Sequence, residues 1–214
     1  MLIKSMSRNA LLLGVFALLT TALIAATFLN TQDSIAENIR QAEEKALLEI
    51  VPRSRHNNSM LDDTQPIADS QLLGLRTSKT LYIARQDGQP VAVILPTTAT
   101  DGYSGDIDMI VGINSNGTVA GVRVLSHRET PGLGDGIDRK KSTWVDGFAG
   151  RSLSNPTAER WTVKKDGGDF DQFTGATITP RAVTQAVARA LQYFQSNKTA
   201  LLSRAQAKDS LDEQ

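Results

Sequence analysis

The sequence contains no cysteine. That absence removes thiolate nucleophiles, cysteine-ligated clusters and disulfides together, and it is compatible with a bacterial periplasm without requiring one. Histidine is almost as scarce. His56 and His127 are the only two, far apart and at no spacing that suits a metal. Aromatic residues make up 5% of the chain, enough for a modest α+β core. Lys plus Arg and Asp plus Glu both number 23, and like charges form no long block. The clustered basic surface needed for a nucleic-acid partner is therefore missing. No G-x-S-x-G elbow supports a serine hydrolase built around His127. Any redox chemistry must come from an organic cofactor, because these side chains offer little of their own.

What is present begins with a long apolar run. Ala10 to Leu29 carries no charge over twenty residues; at about 1.5 Å per residue this helix spans roughly 30 Å, the thickness of a hydrocarbon core. Lys4 and Arg8 precede it, while Asp33, Glu37 and Glu43 follow. The positive-inside rule puts residues 1–9 in the cytoplasm, residues 10–29 in the membrane and the rest outside, in the periplasm if the membrane is a bacterial inner membrane. A cleaved signal peptide is the competing reading. Against it, the apolar run exceeds the usual h-region, and Thr27-Phe28-Leu29 is a poor cleavage context after Ala25 and Ala26.

Beyond the anchor, Ile35, Ile39, Ala42, Ala46, Leu47 and Ile50 recur at helical spacing until Pro52 stops the pattern. Residues 53–70 lack periodicity and read as a linker, so residues 30–71 form an amphipathic helix plus lead-in. Thr80–Arg85 and Val91–Leu95 flank Asp87-Gly88, a hairpin signal; Ile107–Ile113 and Thr118–Leu125 flank a second turn at residues 114–117. Trp161–Lys165 is a further candidate strand. Thr179-Pro180 opens a helix with an inward face of Val183, Val187, Ala190, Leu191 and Phe194, threonine serving as a cap. The expected architecture is α+β: a single membrane helix, then a domain of antiparallel strands and a C-terminal helix over residues 72–198, with a polar tail at 199–214.

Two segments differ from ordinary connectors. His127 to Gly136 has three glycines at alternate positions, which allow close backbone approach but do not make a dinucleotide fingerprint. By itself such a loop is equally a turn. Asp171-Gln172-Phe173-Thr174-Gly175-Ala176-Thr177 ends just before the C-terminal helix. Small residues leave Thr177 unshielded, and the helix N-terminus offers free N–H groups and a positive dipole end to a phosphate, with Arg181 and Lys140-Lys141 as possible counter-charges. A strand-to-helix turn with threonine caps is the plainer reading of the same residues.

The run D-x-x-T-G-A-T from Asp171 to Thr177 resembles the recognition motif of the periplasmic flavin transferase, which moves FMN from FAD onto the motif's last threonine. Glu129-Thr130-Pro131-Gly132-Leu133-Gly134 matches in full the E-T-P-G-L-G loop of the FMN-binding domain family, and Gly102-Tyr103-Ser104-Gly105 and Ile110–Ile113 precede it, as in the family's order. The resemblance covers nearly the whole chain. It implies a covalent flavin, FMN esterified through its phosphate to Thr177. Asp171, Thr174, Gly175 and Ala176 would be read by the transferase, and Glu129, Thr130, Gly132, Leu133, Gly134, Thr174, Gly175 and Ala176 would surround the cofactor. Members of this family serve as flavoprotein components of two membrane machines, the Rnf (Rsx) ion-translocating electron transport complex and the sodium-pumping NADH:quinone oxidoreductase. The chain's length is closer to the first. The implied role is electron relay among other membrane subunits of that complex, with no complete activity expected alone. A non-redox anchored assembly module is the alternative from another class.

Overall fold

The computed structural model describes residues 2–203, with side chains from residue 6 to residue 202; the remainder of the expected polar tail, 204–214, lies outside the described residues. The chain forms two compact units that divide between Lys45 and Ala46. Helix α1 (Leu2–Ile50) runs through the apolar stretch and the amphipathic one without a break. It ends just before Pro52, whose missing N–H and ring cannot continue a helix. Leu11, Phe16, Leu19, Ile24 and Phe28 on α1 are all exposed. Among the described residues it is the one helix long and apolar enough to cross a membrane.

The second unit is built on a five-stranded antiparallel meander: β1 (Thr64–Ile67), β2 (Lys79–Gln86), β3 (Gln89–Gly102), β4 (Gly105–Asn114) and β5 (Val119–Ser126), paired in sequence order. Both expected hairpins form. Asp87 and Gly88 both take positive φ, 52° and 76°, the conformation of a two-residue type I′ turn. Asn57 brackets that turn, its side chain donating to Asp87 Oδ1 at 2.9 Å and accepting from the Asp87 N–H at 3.0 Å.

Successive strand residues point to opposite faces, and here both faces are covered. Val93, Leu95 and Ala99 of β3 join Met109 and Val111 of β4 on one face, where α2 (Ile178–Ser203) packs Val183, Val187, Leu191 and Phe194. Ala92, Ile94, Tyr82 and Ile110 form the other face, covered by Leu47, Ile50, Val51 and Met60. Burial on both sides explains the near-continuous apolar run from Val91 to Leu95 in an antiparallel strand.

Two expectations are corrected. The stretch read as a linker contains β1, an edge strand in which Pro66 is tolerated; it is tied down by Arg85, whose buried guanidinium bonds Asp63 at 2.5 Å. Trp161–Lys165 is not a strand. The Trp161 ring is drawn into an aromatic cluster with Phe148 and Phe170, and the chain after Val163 winds into a 3-10 turn closed by Gly167 at φ 86°. Helix α2 continues into the start of the tail, to Ser203, where Leu201 is buried against the same core. The β3–β4 hairpin at Tyr103-Ser104 was not read as a turn from its residues; Gly102 pairs with Gly105 there, and Gly105 takes φ 109°.

Gly112 and Gly121 face each other across β4 and β5 and leave bare backbone under Ile50. A Cβ on Gly112 would lie 2.2 Å from Ile50 Cγ2. Gly112→Val, although favourable to a strand, is therefore expected to lower stability by about 1–3 kcal/mol. Denaturation midpoints of the detergent-solubilised chain read this, and Ile50→Ala in the Gly112→Val background should recover part of the loss.

Candidate functional site

Between β5 and α2 the chain spends some fifty residues in turns and short 3-10 segments, a length of irregular structure that usually accompanies function. Two tight turns organise it. In Thr130-Pro131-Gly132-Leu133, the Leu133 N–H donates to the Thr130 carbonyl at 3.1 Å, proline sets the second position and Gly132 takes φ 78° at the third. This is the type II pattern. Asp135 Oδ1 accepts from the Gly132 N–H at 2.7 Å and closes the loop. Phe173-Thr174-Gly175-Ala176 repeats the arrangement, with Ala176 N–H donating to the Phe173 carbonyl at 3.1 Å and Gly175 at φ 79°.

Aromatic packing holds the second turn. Phe173 meets Trp144 edge-on at 5.3 Å, and Trp144 meets Phe148 at 5.1 Å. The Phe173 ring also lies against Gly136, where a Cβ would come within 3.0 Å. Trp144 Nε1 donates to the Asp171 carbonyl at 2.8 Å, fixing the head of the segment. The Asp171 side chain stays exposed and pairs with Lys164 at 2.6 Å.

Glu129 joins these pieces. Its carboxylate is buried and accepts from the Ser104 N–H at 3.0 Å through one oxygen and from the Thr179 hydroxyl at 2.5 Å through the other. The β3–β4 hairpin, the glycine loop and the first turn of α2 thus meet on one side chain. Gly134 is buried beside the pair; a Cβ there would stand 2.7 Å from Glu129 Oε2 and 2.9 Å from Thr179 Oγ1. Thr179 is therefore not the cap expected from the sequence, since it lies inside the first turn and spends its hydroxyl on Glu129.

The two turns and the helix start enclose a cleft of ≈ 200 Å³. Glu129, Thr130, Leu133 and Gly134 line it from one side, Gly175, Ala176 and Thr177 from another, with Tyr103, Ile178 and Thr179 completing it. Of the residues singled out by sequence, Gly132, Thr174 and Asp171 are outside this lining: Gly132 shapes its turn, and Thr174 stands exposed at the tip of the other. Tyr103, Ile178 and Thr179 were not singled out as site residues. Thr179 had a signal in a second hydroxyl two residues past Thr177 beside Pro180, and Tyr103 had one in the Gly102–Gly105 segment that carries the family resemblance. Two of the expected counter-charges are engaged elsewhere, Arg181 with Asp166 at 2.6 Å and Lys141 near Asp135 at 3.8 Å.

Chemically, the cleft offers a half-buried hydroxyl, Thr177, immediately before an α-helix. The first N–H groups of such a helix lack partners within it, and its dipole favours an anion. These are features that suit an anionic phosphate group near Thr177.

Residues 1–50 match the model of the RnfG N-terminal region, and residues 102–192 match that of the FMN-binding domain. The chain is 51% identical over 204 residues to the G subunit of the ion-translocating oxidoreductase complex of Pseudomonas aeruginosa, covering 95% of both chains. The chain belongs to this G-subunit family. Other relatives of the same name are those of Shewanella loihica, 49% identical with 94% of this chain and 95% of the relative covered, and of Vibrio cholerae, 46% identical with 94% and 95% covered. Every residue lining the cleft falls inside the stretch that matches the FMN-binding domain. The glycine loop of this G-subunit family member and the end of its 171–177 segment are thus two walls of one cleft within that domain.

Removing either member of the Glu129–Thr179 pair leaves a buried polar group without its partner. Glu129→Ala and Thr179→Val are each expected to cost about 1–3 kcal/mol. The two should be clearly non-additive in a double-mutant cycle on chemical denaturation, with a coupling on the order of 1 kcal/mol; additive losses would mean the bond contributes nothing.

Proposed function

We propose that this chain is the membrane-anchored flavoprotein subunit of an ion-translocating electron transport complex, carrying FMN as a phosphoester on Thr177 and holding it outside the cytoplasm. The observation behind this reading is the position of Thr177: a half-buried hydroxyl at the head of α2, inside the cleft that falls within the FMN-binding domain match. The membrane partners are the other subunits of the complex that the relatives' name describes.

In maturation, Thr177 Oγ forms the new P–O bond to the FMN phosphate of FAD, the anhydride bond breaks, AMP leaves, and the hydroxyl proton passes to solvent or to a base of the transferase. The type II turn at Thr174-Gly175 is exposed, which suits reading of the motif by a separate enzyme. Once the ester is in place, the N–H groups of Ile178 and Thr179 and the positive end of α2 balance the phosphate charge. Arg181 and Lys141, already paired, contribute less. Glu129 keeps the glycine loop and the helix start in register beside the ester. Bound FMN supplies one- and two-electron chemistry that the side chains lack, and the covalent tether prevents its loss to a dilute compartment.

Thr177→Ala should abolish the flavin adduct: the fluorescent, acid-stable band on a denaturing gel disappears and the intact mass falls by one FMN. A band that persists in Thr177→Ala would remove the assignment, with Thr174 as the next residue to examine. Orientation is checked separately. A phosphatase fused to the C-terminus should be active, and exchanging the charges that flank α1's apolar run should lower both phosphatase activity and flavin content.

A further inference from the structure

The segment from Asp171 to Thr177 is fastened to the fold mainly through side chains. Among the described residues, the Ala176 N–H is the one backbone donor of this segment with a backbone acceptor, the Phe173 carbonyl at 3.1 Å. The head of the segment is held from outside. Trp144 Nε1 donates to the Asp171 carbonyl at 2.8 Å, and the same ring meets Phe173 edge-on at 5.3 Å. Lys164 pairs with the Asp171 carboxylate at 2.6 Å, and the Lys165 N–H donates to Gln172 Oε1 at 3.3 Å. Trp144 is braced in turn: its N–H donates to Ser142 Oγ at 3.2 Å, and that hydroxyl donates to the Gly136 carbonyl at 2.6 Å. Contacts of this kind, near the surface and without a ladder, open at lower cost than the core.

The closed segment does not suit the transfer step. Lys164 occupies the motif's leading acid, and the acceptor Thr177 is half-buried in the cleft. Transfer needs Thr177 Oγ within about 3–3.5 Å of a phosphorus and in line with the bond that breaks. That phosphorus lies in the middle of FAD, with riboflavin on one side and AMP on the other, and the transferase holds all of it. The cleft, ≈ 200 Å³, is below the roughly 300–1,000 Å³ of pockets that enclose a small organic ligand. One of its walls is the segment itself, through Gly175 and Ala176. Lifting residues 171–176 therefore uncovers Thr177 and frees Asp171 together, while Val183, Val187 and Leu191 keep α2 on the sheet.

We infer that Trp144 and Lys164 form a clasp on the acceptor segment, and that Thr177 receives FMN from the form in which this clasp is open. The inference rests on the Thr177 ester proposed above and adds the state of the chain on which the transferase acts. The chemistry is unchanged: Thr177 Oγ bonds to phosphorus, the FAD anhydride breaks, AMP leaves, and the hydroxyl proton passes to solvent or to a base of the transferase. The exposed Thr174-Gly175 turn gives the enzyme its first hold, and opening then delivers the acid and the hydroxyl. Afterwards the same contacts re-form and return the segment to the cleft. A chain that must open before it reacts is modified at a rate proportional to its open fraction.

Weakening the clasp should therefore speed the modification. The full chain is purified in detergent from a host without the transferase, then mixed with FAD and a limiting amount of that enzyme. Adduct formation is followed by intact mass, and hydrogen exchange over residues 171–177 is measured before FAD is added. Trp144→Phe keeps a ring and removes the N–H donor; it is expected to raise the initial rate roughly 2–10-fold. Lys164→Met removes an exposed ion pair and should raise it about twofold. Both should speed exchange in 171–177 and leave β3 and β4 as protected as in the parent. Lys198→Met, which removes an exposed charge near the far end of α2, should match the parent in both measurements. Unchanged or slower transfer in Trp144→Phe overturns the clasp, because the motif is then read as it stands in the fold. Faster transfer without faster exchange in 171–177 overturns it as well. Should Trp144→Phe fail to fold, Lys164→Met decides by the same criteria. These outcomes leave the ester standing, whereas a parent chain that takes no FMN on Thr177 overturns the Thr177 reading and the clasp with it.

Discussion

Both oxygens of the buried Glu129 carboxylate are held by neutral donors, the Ser104 amide and the Thr179 hydroxyl, and the walls of the cleft depend on that arrangement. A buried carboxylate is costly unless its hydrogen bonds are satisfied. Here satisfaction requires three stretches far apart in sequence to arrive together: the β3–β4 tip, the loop after β5 and the start of α2. Gly134 follows from the same constraint, since any larger residue would stand in the bond. The Thr177 segment acquires its position because the next turn of chain is fastened to Glu129.

The sheet beneath supplies rigidity. Covered on one face by α2 and on the other by Leu47, Ile50 and Val51, it carries the hairpin tip at one end and leads into the glycine loop from β5. The aromatic cluster of Trp144, Phe148, Trp161, Phe170 and Phe173 does for the irregular region what a strand would do elsewhere, giving it buried surface without a ladder. In a chain with so few aromatics, four gather behind the motif that ends at Thr177 and a fifth, Phe173, lies within it.

Long apolar and periodic segments were legible in advance. The anchor, the two hairpins at residues 87–88 and 114–117, and the inward face of α2 all follow from local spacing, since each is a property of neighbouring residues. The misreadings share the opposite cause. Strand β1 is short, polar and an edge, so its pairing with β2 leaves little pattern. Trp161–Lys165 has strand composition, but its tryptophan is claimed by a cluster assembled from distant residues. Thr179 looks like a cap because a cap is a local device, whereas its partner lies fifty residues away.

The site divides in the same way. Residues that make turns, Gly132 and Gly175, and the hydroxyl at the head of a helix are readable from sequence, because the turn and the helix end are written in adjacent residues. The family resemblance already puts the glycine loop and the 174–176 turn around one cofactor, but that the β3–β4 tip and Ile178 join the same cleft, and that Glu129 is its keystone, belong to tertiary structure alone. The amino-acid order determines which short segments bend, span a membrane or coil. Only the hydrogen bonds to the Glu129 carboxylate and closure of the two-sided sheet bring those segments to the same place.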